Sequence, residues 1–276
     1  NRGGHGARTG LIYWQLGAAA GQLATCPADH HHALVDIHGW IRMVALIGID
    51  CATQPGKVGL ALGEIAGEVV RIKACQVGSA VEQPLDLVHG WLHQCDSALL
   101  ALDAPLGWPC ALGARLVGHQ AGAGMGAEVN TYFRRLTDDD IYKRFQKRPL
   151  EVGANLISRT AVAALHLLEQ LRERSKTSIP LAWNPADLNP YAAIEVYPAV
   201  TRLAHGGSRG GGSIEGLGRL IDLSSLDGEL PLTADARDAL VCVIAAADFL
   251  RGRAKPPEDL HLAKKEGWIW AAEKPS

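Results

Sequence analysis

Four acidic residues stand where chemistry is feasible. Asp50 closes residues 44–50, VALIGID, an apolar run that ends abruptly in a carboxylate. Asp103 closes residues 98–103, ALLALD, and Glu195 lies in residues 192–196, AAIEV, just before Tyr197-Pro198. Continuous apolar runs of this length read as strands covered on both faces. Acids at the ends of such strands sit where an α/β sheet opens toward ligands. Asp238 heads an otherwise apolar helical stripe of Val241, Cys242, Ala245 and Phe249, a costly position for packing alone. Packed together at neutral pH, four carboxylates repel by on the order of several kcal/mol unless a cation compensates or their pKa values rise. Such hard oxygen ligands suit Mg²⁺ or Mn²⁺. Two ions about 3.5–4 Å apart clamp the attacking and leaving oxygens of a phosphodiester. The expected chemistry is metal-dependent phosphodiester hydrolysis by two ions, with Asp50, Asp103, Glu195 and Asp238 as both catalytic groups and metal ligands.

The elements that must position these acids follow from pattern. After a turn at residues 53–57, residues 58–64 and 68–75 are strands separated by Ala66-Gly67, which implies hairpins and an antiparallel meander. Residues 81–94 have helical spacing, with Leu85, Val88, Leu92 and Cys95 on one stripe. The following ALLALD strand then requires a right-handed crossover and a parallel pairing. Residues 104–188 leave the sheet, and 160–174 form an amphipathic helix before residues 191–197 return to it. Pro198 suits the first turn of the next helix, and Thr233 caps the helix that carries Asp238. Residues 266–270, EGWIW, read as a short terminal strand or arm. The fold class is α/β. A mixed five-stranded sheet, in the order β-β-β-α-β-α-β-α, is flanked by helices, with a mostly helical insertion at about 104–188 between the fourth and fifth strands.

The domain expected is 43–276, with Met43 the natural start and residues 1–42 an extension outside it. His30, His31, His32 and His38 in that extension read as incidental rather than as a metal site. Residues 205–218 are Gly-rich but lack GxxxxGK[ST], which argues against a phosphate-cradling loop.

Within the insertion, Glu128 to Arg148 sets Arg134, Arg135, Lys143, Arg144, Lys147 and Arg148 against Glu128, Asp138, Asp139 and Asp140. Tyr132, Phe133, Tyr142 and Phe145 are interleaved with them. Two readings stand: a solvated helix with its aromatic face in the core, or a surface that meets phosphates with bases and nucleobases with rings.

Composition sets bounds. Net charge is −2, so no global basic field draws the chain to nucleic acid or an anionic membrane. Hydrophobic residues at 47% and charged residues at 20% fit an ordinary globular protein. No apolar run reaches the length of about 18 residues that a membrane span needs. The cysteines Cys26, Cys51, Cys75, Cys95, Cys110 and Cys242 form no CxxC pair. They read as free thiols of a reducing, cytoplasmic setting rather than as a zinc site.

Taken together, GIDCA at 48–52, ALDAPLGWP at 101–109, FRRLTDDDIYKRFQKRPL at 133–150, IEVYPAV at 194–200, DALVCVIAA at 238–246 and EGWIW at 266–270 resemble the DUF429 family of RNase H-like proteins predicted to be nucleases. The resemblance implies an RNase H-like sheet, divalent metal, and a nucleic-acid substrate, DNA or RNA. The family's acidic positions fall on Asp50, Asp103, Glu195 and Asp238. The resemblance also lends weight to Arg135 and Asp138, although Leu136 stands between Arg135 and Thr137 where the family motif reads Arg-Arg-Thr-Asp. Asn155 lies in the region where the family carries an Asp, and Arg159 persists at the end of that stretch. Arg134, Arg135 and Arg159 are thus the expected substrate-binding residues, on a lid over the acids. Two other readings are an actin-like or sugar-kinase-like phosphotransferase, which needs a duplicated subdomain, and a catalytically silent nucleic-acid- or protein-binding module of the same fold.

Overall fold

Alternation along the central strands decides where the acids go. In β1, Val44–Asp50, Leu46 packs with one hydrophobic core and Ile47 and Ile49 with the other. Period-two geometry then puts Asp50 on the face of Leu46 and Gly48. The computed structural model describes residues 44–126, 128–153, 155–207, 216–226, 228–231 and 233–274. The expectations for residues 1–42, Met43 and the four N-terminal histidines, and most of the Gly-rich stretch, lie outside the described residues.

β2 (Gly59–Ala66) and β3 (Val69–Val77) continue β1 as an antiparallel meander. Helix α1 (Pro84–Leu92) crosses to β4 (Ser97–Asp103), which pairs parallel with β1. Four helices follow: α2 (Cys110–Leu116), α3 (Val129–Phe133), α4 (Leu136–Phe145) and α5 (Asn155–Ser175). β5 (Tyr191–Glu195) returns parallel to β4, and α6 (Pro198–Ala204) starts at Pro198. After β6 (Ile221–Asp222) come α7 (Ala234–Leu250) and α8 (Leu260–Glu266). The sheet order is β5-β4-β1-β2-β3-β6.

The sheet therefore has six strands rather than the expected five. The added strand is two residues long, too short for any periodicity to mark. It pairs parallel with β3, and Arg71 Nε donates to Asp222 Oδ2 at 3.1 Å across that pairing. The EGWIW segment is an arm held beside β5 by a single bridge, Glu195 to Ile269. Trp268 and Trp270 in it are buried, and Trp270 meets Phe249 of α7 edge-on.

Each face of the sheet has its own cover. α7 lies on the face of Leu46, Leu99 and Ile194, where Ala239, Cys242, Val243 and Ala246 join one core. α1 and α5 close the other face through Val88, Leu92, Ala164, Leu168 and Leu171. The longest helix between β4 and β5 is thus part of the sheet's packing. The basic and aromatic segment resolves in the same direction: Tyr132 and Phe145 are buried and Tyr142 is exposed, with Arg148 stacked over its ring at 4.1 Å.

α7 approaches the sheet closely because two strand positions lack a side chain. A Cβ on Gly48 would lie 2.1 Å from the Ala239 carbonyl oxygen, and one on Gly59 would lie 1.9 Å from that of Asp235. Gly59 is the register partner of Asp50, so the contact sits beside the acid. Gly48→Ala is expected to lift α7 and cost about 2–3 kcal/mol, read as a lower urea midpoint. An unchanged midpoint would mean that α7 does not seat on β1 this closely.

Candidate metal centre

Register and helix packing bring three of the acids together. Asp50 and Asp103 are direct partners across the parallel β1–β4 pairing. Both occupy strand positions that face α7, as the core memberships of Leu46, Leu99 and Ala101 require. Asp238 projects from the second turn of α7, whose start is fixed by Thr233 Oγ1 accepting from the Ala236 N–H at 3.3 Å. Oxygens of Asp50, Asp103 and Asp238 all lie within 4.8 Å of one another, each residue partly exposed.

The fields within this cluster are strong. Burial first, then the charges of Asp238 and Asp235, push the Asp50 carboxyl up to about 8, with Arg202 opposing them. Burial also holds Asp103 well above its ordinary range, with the charges of Asp50, Asp238 and Glu195 adding to it and Arg202 again opposing. Asp50 and Asp103, whose ionisation is opposed by burial and by neighbouring carboxylates, together with Asp238 are a suitable oxygen donor set for a hard divalent cation. Cys51 and Cys242 flank the site, and both thiols donate toward the Ile49 carbonyl. Burial first, then Asp103 and Asp50, keep both thiols protonated, so the available ligands are oxygens. Burial and Asp103 also push the Tyr197 phenol up to about 12, leaving a neutral hydroxyl beside the acids.

Glu195 is not part of this group, which corrects the expectation of four convergent acids. Its register partner is Leu102, which packs on the opposite face from Asp103. Its carboxylate is occupied: Arg135 Nη1 donates to Oε2 at 3.0 Å and Nη2 to Oε1 at 2.8 Å, while the Leu106 N–H donates to Oε2 at 2.9 Å. Burial raises the Glu195 pKa, and Arg135 counters it.

The proposed lid arginines are likewise placed differently. Arg135 is 1% exposed, with Asp138 as its second ion pair at 3.0 Å. Asp138 Oδ2 also accepts from the Arg135 N–H at 2.9 Å, forming one half of a capping box at α4. These are structural bonds, and they leave Arg135 no surface to offer a phosphate. Arg134 is partly buried and pairs with Glu151 at 3.3 Å. Arg159 is exposed on α5.

The guanidinium that does reach the acids belongs to Arg202 of α6, which donates from Nη2 to Asp238 Oδ1. Nothing in the pattern of α6 singles it out. The signal that could have found it is a charged residue on a helix that starts at Pro198, directly after an acid-bearing strand.

Comparison with curated proteins gives no match. Among solved structures, a Thermus thermophilus RuvC structure aligns over 77% of this chain and 99% of that one, at 11% identity and a TM-score of 0.34. T. thermophilus RuvC in complex with a Holliday junction substrate aligns over the same shares at 13% identity and a TM-score of 0.33. The sequence model of the family described as "Protein of unknown function (DUF429)" matches residues 48–261. That span is most of the chain and contains Asp50, Asp103, Asp238 and the Arg135–Glu195 pair, and by it the chain belongs to the DUF429 family.

Proposed function

We propose that this protein is a metal-dependent nuclease with an RNase H-like sheet, hydrolysing phosphodiester bonds of DNA or RNA. One observation carries the reading: three carboxylates from β1, β4 and α7 lie within 4.8 Å of one another at the edge where those strands end. The antiparallel β1–β3 meander and the parallel β4 and β5 are the frame on which such acids converge.

Asp50, Asp103 and Asp238 would hold Mg²⁺ or Mn²⁺. A bound divalent ion supplies Lewis acidity, which stabilises charge on the attacking and leaving oxygens of the phosphodiester. The chain's own part is to keep three oxygens converged and to exclude competing ligands. Cys51 and Cys242, whose thiols burial holds protonated, would leave the oxygens as the ligands on offer. The Asp238 side chain is 29% exposed, so the cluster is accessible from solvent. No described helix is long and apolar enough to cross a membrane. A reducing cytoplasmic setting belongs to the same proposal, supported by the free thiols at Cys51 and Cys242.

The test is cleavage of labelled single-stranded, duplex, hybrid and branched substrates with Mg²⁺, Mn²⁺ or a chelator. Metal-dependent cleavage that Asp103→Asn abolishes is the expected result. In parallel, saturating Mn²⁺ should raise the melting temperature of the wild type, by about 2.7 kcal/mol of stability at a hundredfold excess over Kd. No cleavage of any substrate, together with no thermal shift, would remove the assignment.

A further inference from the structure

Arg202 is more than a prop between α6 and α7. Its side chain is only 5% exposed, and Nη2 is committed to Asp238. Its Nε, however, is buried without a hydrogen-bond partner among the described residues. An arginine retained only to fasten two helices is ordinarily satisfied at every buried donor. Its positive charge is also felt at both Asp50 and Asp103. The guanidinium therefore belongs electrostatically to the whole cluster, with one donor still open.

The ligand supply points the same way. Two ions, the number expected from four carboxylates, would draw on Glu195, but its oxygens are taken by Arg135 and the Leu106 N–H. Of the three acids left, one oxygen of Asp238 is engaged by Arg202. Once a cation displaces their protons, the three carboxylates and one guanidinium carry two net negative charges, the charge of a single divalent cation.

We propose that Arg202 takes the place of a second divalent ion at Asp238, so that the cluster holds one resident cation per chain. This rests on the metal-site reading above and adds to it a stoichiometry and a positioning residue.

The experiment is Mn²⁺ titration of the full chain by calorimetry, with electron paramagnetic resonance to detect paired ions. Wild type and Arg202→Lys should each bind one Mn²⁺ per chain without spin–spin broadening. Arg202→Met should bind two, with broadening. Two ions on the wild type, or one on Arg202→Met, would overturn the proposal and leave the metal site standing. No Mn²⁺ binding sensitive to Asp103→Asn would remove the metal site itself, and the proposal with it. Circular dichroism checks the fold of each variant. Arg202→Gln is a second neutral form, and the wild-type stoichiometry decides alone should neither neutral form fold.

Discussion

Asp50→Asn should abolish metal-dependent cleavage, by a factor of about 10³ or more, and yet yield a metal-free protein more stable at pH 8 than the wild type. The first half follows from removing an anionic ligand that stabilises charge in the transition state, about 4 kcal/mol. The second follows from linkage. The folded carboxyl titrates near 8 and the unfolded one near 3.8. Below the lower value both states carry the proton and there is no penalty. As pH rises from about 4 to 8, the unfolded chain releases the proton while the folded chain keeps it, so wild-type stability falls. Asn has no proton to lose, and the gap in its favour widens over that window to on the order of 2–5 kcal/mol. Thermal melts with chelator at pH 5 and pH 8 measure it. Added Mn²⁺ should close the gap, because it stabilises only the wild type. A difference in melting temperature that does not grow with pH would show that Asp50 is not a strained member of the cluster.

How much of this was legible depends on whether a signal is local. Asp50 and Asp103 could be read because each ends an apolar run abruptly, and Asp238 because it interrupts an apolar helical stripe. Glu195 carried the same local mark and belongs elsewhere. Its face is set by the register of β5 against β4, where Glu195 meets Leu102 rather than Asp103. One residue of register moves a side chain to the other side of a sheet, and no residue of AAIEV encodes that register alone. Arg202 reaches Asp238 across 36 residues, and the partners of Arg135 lie 60 and 131 residues away. Bases beside aromatics left two readings, a nucleic-acid surface or a solvated helix with its aromatic face in the core, and Arg-x-x-Asp at a helix start is equally the form of a cap, which is what the fold makes of it. The meander, the crossover and the capped α7 were legible because hairpin spacing and capping are short-range.

Arg135→Met should be the most destabilising of these substitutions, at about 3–5 kcal/mol in urea denaturation. The guanidinium is the hub of four segments that local sequence does not connect. It donates to Asp138 at the start of α4, to Glu195 at the end of β5 and to the Glu266 carbonyl at the end of α8. Glu195 in turn accepts from Leu106 in the loop after β4, while the Glu266 carboxylate accepts from the Cys110 and Leu136 N–H groups at 2.8 and 2.9 Å. Without Arg135, the carboxylates of Glu195 and Asp138, 3% and 1% exposed, are left buried and uncompensated. Burial already raises the Glu195 pKa against the pull of Arg135. Its loss raises that pKa further, so the deficit should grow as pH rises from the unfolded carboxyl range toward neutrality. Arg135→Lys keeps the charge but not the planar fork, and should recover only part of the loss. In Arg135→Met with Glu195→Gln the two effects should be smaller than additive, because the second change removes the charge that the first strands. The same measurements separate this role from phosphate binding. An arginine held for substrate would lower cleavage with little change in stability, whereas this one should lower stability and leave the Mn²⁺ stoichiometry of the folded fraction unchanged. A loss under about 1 kcal/mol would mean that Glu195 and Asp138 find water when Arg135 is gone, and that Arg135 does not fasten these segments.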